Sequence, residues 1–297
     1  MTVTAETAAR PSTLVGGRPR APRRRSLTPR SILLAFAAYV IALIFLLPYI
    51  EMVLSALRPH AELLSPGYLP KHFDWSNFTT IWQTGFGANL AASLEIAGGA
   101  TALVLIVAMP AAYYTARHRF RGRLVFLLLV LATQMFQPAA MLVGVEQEWV
   151  NFNLPSPIIS LILINAGFNL AFAVWILNAY FSSIPAELEE AAMVDGTGRL
   201  GALRRITLPL AWPGIVTALI FTFIGAWNEL LVALTLTLGA TPYQTPITVG
   251  INNYIGQYSI DWGHLFAGSV IATIPVIILF AVIEGKVVGG LTAGSIK

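Results

Sequence analysis

The chain has 297 residues, 56% of them hydrophobic and only 11% charged, a balance that excludes an ordinary soluble domain of this size. It has no cysteine, which removes disulfides, thiolate metal sites and cysteine nucleophiles, and its four histidines (His60, His72, His118, His264) lack a metal-site spacing. The net charge of +4 comes largely from arginines beside apolar segments, a pattern of membrane topology, and no nucleic-acid module is present.

Residues 1–30 are rich in Ala, Pro, Thr and Arg and read as a disordered basic cytoplasmic tail. The apolar run that follows is longer than the core of a secretory signal. Six segments then reach the roughly 20 residues that cross a bilayer, near 31–57, 89–116, 124–145, 158–181, 215–238 and 266–288. Pro48, Pro110, Pro138 and Pro275 lie within or near the ends of these segments, where kinks are expected. Sixteen of the eighteen Lys and Arg fall in the tail, at 117–123, at 199–205 or at the C-terminus, against Arg58 and Lys71 on the other side. This imbalance predicts that both termini and the 199–205 loop are cytoplasmic, in an all-α, multi-pass protein of a bacterial-type cytoplasmic membrane.

Between Arg58 and Ala88, the external loop carries Pro66, Tyr68, Pro70, Phe73, Trp75, Phe78 and Trp82. Such aromatics anchor a chain at the membrane surface, and the external position also permits contact with a sugar or a sugar-binding protein. Within the spans, Asn165, Asn169 and Asn178 lie in the fourth segment, the first two on one helix face, and Gln134 and Gln137 lie in the third. Polar groups at that depth face protein or a water-filled cavity, so helix-to-helix hydrogen bonding and solute contact are both open. Trp227-Asn228-Glu229 puts an acid inside the fifth segment, where it lines a pathway or serves as a structural hydrogen-bond node.

The polar stretch between the fourth and fifth segments organises the rest. From Ile184, the residues Ile184, Leu188, Ala191 and Ala192 fall at helical spacing on one face, with Pro185 and Glu187, Glu189 and Glu190 suited to a helix start. Asp195-Gly196 and Gly198 break this helix, and a second short one over 200–206 is expected to stop at Pro209 and Pro213. Glu190-Ala191-Ala192, two residues, Asp195-Gly196, nine residues, then Ile206-x-Leu208-Pro209 resembles the EAA loop of permease subunits in binding-protein-dependent ABC importers. Leu203 stands where that family commonly has an aromatic residue. An amphipathic helix lying on the membrane would need neither Asp-Gly nor Ile-x-Leu-Pro.

The resemblance covers 31–297. Pro110 to Arg117 with Phe120-Arg121-Gly122 is similar to the family's second cytoplasmic loop, Trp227-Asn228-Glu229 to a motif of its carbohydrate importers, and Gly290-Leu291-Thr292-Ala293-Gly294 to the tail of the maltose-type branch. It implies the type I ABC importer permease fold: six transmembrane helices and a cytoplasmic coupling-helix loop at about 182–211. Glu190, Ala191, Ala192, Asp195, Gly196, Ile206, Leu208 and Pro209 would then couple to an ATPase, and 290–294 would lie near it. Asn165, Asn169, Trp227, Asn228 and Glu229 are the candidate pathway residues.

No Gly-x-x-x-x-Gly-Lys-Ser/Thr loop is present, so ATP and Mg are expected on partner ATPase subunits and the chain itself is expected to be no enzyme and to hold no cofactor or metal. The family further implies two ATPase subunits, a second permease and an extracytoplasmic binding protein, with a carbohydrate (oligosaccharide, disaccharide or glycerol-phosphate type) imported by alternating access within lipid. An ion-coupled secondary transporter or channel is the alternative. It would explain six spans and a buried Glu229, but it calls for repeats or broken mid-membrane helices, which the sequence does not display.

Overall fold

The computed structural model describes residues 29–63, 70–136, 140, 144, 147, 151 and 156–292. The tail at 1–28, the end of 124–145 with Gln137 and Pro138 but for 140 and 144, the loop residues Pro66 and Tyr68, and Ala293 and Gly294 lie outside the described residues. No strand occurs among the described residues, as an all-α membrane protein requires.

The chain divides at Pro48 into two units. In the first, residues 29–48 belong to helix α1 (Pro29–Ala56), and apolar side chains such as Leu33, Phe36, Tyr39 and Phe45 are exposed. Apolar exposure of this extent over a helix of mean hydropathy 2.5 suits lipid rather than water.

The second unit is built around α2 (Phe86–Arg117), α4 (Pro157–Ser183) and α6 (Trp212–Trp227), with α3 (Arg123–Thr133) between the first two in sequence. Ala97, Ala100, Val104, Ala108 and Ala112 recur at helical spacing along α2 and are buried. Small side chains let the backbones approach, which replaces the hydrophobic drive that lipid does not supply. Close approach is visible at Gly99, where a Cβ would stand 2.8 Å from Ile162 of α4. The expected hydrogen bonding between helices is found at Asn178, whose amide donates to Thr115 Oγ1 of α2 at 2.7 Å, and at Gln134, which donates to the Phe168 carbonyl at 3.0 Å.

Among the described residues, four helices are long and apolar enough to span, and the return segment Arg199–Leu210 meets Trp212–Trp227 at a 70° bend. The third expected span is described only as the 11 residues of α3. The fifth differs from the continuous helix expected over 215–238. It ends at Trp227, and a new helix, α7 (Leu231–Leu236), starts after Asn228, Glu229 and Leu230. A break not foreseen from sequence therefore interrupts the fifth expected segment. A short helix α8 (Ile247–Asn252) leads to α9 (Trp262–Thr292), which runs through Gly290, Leu291 and Thr292 rather than ending near 288. At the start of α9, His264 bridges Asp261 and Thr80 Oγ1, the latter at 2.8 Å from Nε2, which ties α9 to the short helix Ser76–Thr80.

Candidate functional site

The connection between α4 and α6 folds on itself. Ile184 closes α4 in an extended conformation and is buried, and α5 (Glu187–Val194) begins three residues later, not at Ile184 as the spacing suggested. Glu187, Glu189 and Glu190 occupy its first turn, where the helix dipole favours negative charge. The helix stops because Gly196 adopts φ 87°, and the Gly196 and Thr197 amides return to the Met193 and Ala192 carbonyls at 3.1 and 3.0 Å.

Pro209 and Pro213 do not end the return segment. A single turn over Arg199–Ala202 widens into a π-turn at Leu203–Thr207, followed by Leu208–Leu210 and then α6 with Pro213 in its first turn. Pro209 has no N–H to give an α-helical carbonyl, and the wider turn preceding it accommodates that missing bond. Pro213 sits where first-turn N–H groups have no intrahelical partner in any case.

Side-chain directions on α5 correct the face inferred from periodicity. Ala192 is buried within the chain, whereas Leu188, Ala191 and Val194 are exposed together with Glu190, Asp195 and Gly196. Ile206 and Leu208 are half-buried and Pro209 is exposed.

What fixes α5 is Glu189, a residue the motif reading passed over. Its carboxylate accepts hydrogen bonds from Thr207 Oγ1 at 2.6 Å, Tyr113 OH at 2.7 Å and Arg117 Nε at 2.8 Å. A second Arg117 nitrogen stands 2.7 Å from the same carboxylate. The remaining arm of Arg117 donates to the Ile184 carbonyl at 2.7 Å. Burial pushes the Glu189 carboxyl up, but the hydrogen bonds from Thr207, Tyr113 and Arg117 and the Arg117 charge outweigh it and hold the group below 4.5. Only the pairing of an acid before Glu190 with the arginine closing α2 hinted at this in sequence. A cavity of about 400 Å³ lies against the pair, lined by His118, Met193, Arg199 and Leu203 among others.

The candidate pathway residues separate. Asn165 is buried and donates to its own helix at the Leu161 carbonyl (2.9 Å), and Asn169 donates likewise to the Asn165 carbonyl (2.8 Å). Asn169 also packs where a Cβ on Gly225 would lie 2.5 Å from its Oδ1. Trp227 is buried, with its indole N–H on the Ala272 carbonyl of α9 at 3.2 Å. Glu229 accepts from the Val232 and Ala233 amides at 2.8 and 2.9 Å, the unpaired first-turn donors of α7, while its carbonyl accepts from Thr248 at 2.8 Å. Asn228 alone of the five is exposed. Among the described residues, no group of three or more His, Cys, Asp or Glu is arranged to hold a metal ion.

Residues 13–286 match the family described as "Binding-protein-dependent transport system inner membrane component". The trehalose/maltose transport system permease protein MalG of Thermococcus litoralis is 34% identical over 278 residues, 90% of this chain and 97% of that protein. The diacetylchitobiose uptake system permease protein NgcG of Streptomyces coelicolor is 30% identical over 86% of this chain and 85% of its own length. Among solved structures, a chain of a bacterial ABC transporter involved in the import of the acidic polysaccharide alginate superposes with a TM-score of 0.72 at 25% identity, covering 90% of this chain and 99% of that one. The continuous spans, the folded Glu189-centred loop and these likenesses agree, and the chain belongs to the inner membrane component family of binding-protein-dependent transport systems as the permease subunit of an ABC importer.

Proposed function

We propose that this permease passes a carbohydrate from an extracytoplasmic binding protein to the cytoplasm by alternating access, with a sister permease beside it and two ATPase subunits below. The observation that carries the coupling part is the folded 182–211 loop. Its internal face is occupied by Glu189 and Ala192, while Glu190, Ala191, Asp195 and Gly196 are left outward. That outward strip is the docking surface for one ATPase subunit, which would supply ATP and Mg, and nucleotide-driven closure of the ATPase pair would rock the permeases about their shared cavity. The charge imbalance supports cytoplasmic termini, and residues 290–294 would then approach the ATPases. Asn228, exposed at the helix break, is the candidate pathway group whose position best suits that cavity, whereas Trp227 and Glu229 tie neighbouring elements and Asn165 and Asn169 bond within their own helix.

The carbohydrate class is carried by the relatives, which are named for trehalose/maltose, diacetylchitobiose and alginate. A mild-detergent pull-down from the native membrane, with mass spectrometry and an ATPase assay, tests the whole reading. Recovery of an ATPase, a second permease and a binding protein that retains a saccharide is expected. Uptake by this chain alone, driven by protons without ATP, would overturn it in favour of an ion-coupled transporter.

A further inference from the structure

The Arg117–Glu189 pair stands outside the docking strip and joins more of the protein than an ordinary surface ion pair does. Tyr113 and Arg117 belong to the last turns of α2, Ile184 closes α4, and Thr207 lies in the turn that leads into α6. All three connections meet on one carboxylate and one guanidinium, whose side chains are only 10% and 11% exposed. These same three helices share one buried core, with Ala97, Val104 and Ala108 of α2, Ala173 and Leu177 of α4 and Ala218 of α6. Apart from the pair, the covalent ties of α5 are the connection at 184–186 and the turn at Gly196, whose φ of 87° no helix continues through.

We infer that Arg117 and Glu189 form a latch that fixes α5 to the cytoplasmic ends of α2, α4 and α6, so that a push on α5 displaces three spans as one body. The inference rests on 182–211 being the ATPase-coupling loop. These are positioning residues, largely buried within the chain while the strip of Glu190, Ala191, Asp195 and Gly196 is exposed. Long, buried and multiply bonded, the pair resists the pivoting of α5 that its two short connections would otherwise allow. A pair of this kind is geometrically demanding, since each lost partner strands a charge.

The chain has no cysteine, so labels can be introduced singly. In the full complex with its ATPases, sister permease and binding protein, nitroxides are placed through Glu187→Cys on α5 and Arg121→Cys beyond α2, both exposed positions. Pulsed electron resonance is recorded without nucleotide and after trapping with ATP and vanadate. With the latch intact, one narrow distance is expected, unchanged between the two states. With Glu189→Gln the distribution should broaden about twofold and shift on trapping, and the stimulation of ATP hydrolysis by the binding protein should fall about fivefold or more. The reciprocal pair Arg117→Glu with Glu189→Arg should recover the narrow distance only in part, because a carboxylate at 117 cannot donate to the Ile184 carbonyl, and any recovery separates loss of the pair from loss of folding. If Glu189→Gln does not assemble, Tyr113→Phe, which removes one bond to the carboxylate, is measured instead with the same expectation at smaller amplitude. A wild-type distance that shifts on trapping, or variants that assemble with unchanged distance and stimulation, would overturn the latch. Failure of any ATPase to co-purify with the wild-type chain would instead remove the coupling reading beneath it.

Discussion

Glu229 gives the sharpest quantitative test of how this membrane fold is held. Its carboxylate takes the Val232 and Ala233 amides at 2.8 and 2.9 Å, so it starts α7 immediately after α6 has ended. Glu229→Ala leaves both donors without a partner. A buried donor left unmade costs about 1–3 kcal/mol, and Glu229 is only half-buried, so water relieves part of it and a total of about 2–4 kcal/mol is expected. Glu229→Gln keeps one acceptor oxygen and should lose about 1–2 kcal/mol. Equilibrium unfolding of the purified chain by SDS in mixed micelles measures the order, with wild type most stable, Gln intermediate and Ala least. ATP hydrolysis stimulated by the binding protein, followed in parallel, should decline in the same order. An alanine variant that unfolds with wild-type SDS dependence and yet abolishes stimulated hydrolysis would refute the capping argument and return Glu229 to the solute pathway.

Acidity should weaken the 182–211 loop in a defined direction. Because the Glu189 carboxyl is held below 4.5, its stabilisation is complete above that value and is lost as pH falls through the lowered one. The stability gap between wild type and Glu189→Gln, followed by thermal inactivation in detergent, should therefore be constant above pH 4.5 and close below it. At Gly196 the constraint is backbone conformation, since a Cβ there would meet nothing within 4 Å while φ is 87°. Asn should be tolerated best, Ala should cost about 1–2 kcal/mol, and Val should be worst, measured as the fraction of complex that retains its ATPase. At Gly214 the constraint is space, because a Cβ would fall within the side chain of Tyr180. Gly214→Ala should lower stability by about 1–3 kcal/mol, and a wild-type melting temperature would show that α4 and α6 do not pack as closely as described.

Much of the architecture is legible in one dimension. A helix that must satisfy every backbone group inside lipid needs a long apolar run, so the first, second, fourth and sixth spans appear in the sequence to within a few residues. The third remains an expectation beyond Thr133. The loop at 182–211 was legible as Glu-Ala-Ala, Asp-Gly and Ile-x-Leu-Pro because glycine and proline punctuate the chain locally. Its inward face was not. Helical spacing grouped Leu188 and Ala191 with Ala192, yet only Ala192 is buried, since the decisive partner is a carboxylate whose ligands lie 72, 76 and 18 residues away in Arg117, Tyr113 and Thr207.

The same division holds within the helices. Composition and the positions of arginine by themselves determined a membrane protein, its apolar spans and the polar loop between α4 and α6, because transfer from water to lipid is a property of each residue and is summed along the chain. Whether Glu229 lay inside a helix or at a break, which asparagine was exposed, and that Arg117 and Glu189 gather three helix ends were decided by tertiary structure alone. Hydrogen bonds and ion pairs depend on distance in space, and neighbours in space need not be neighbours in sequence.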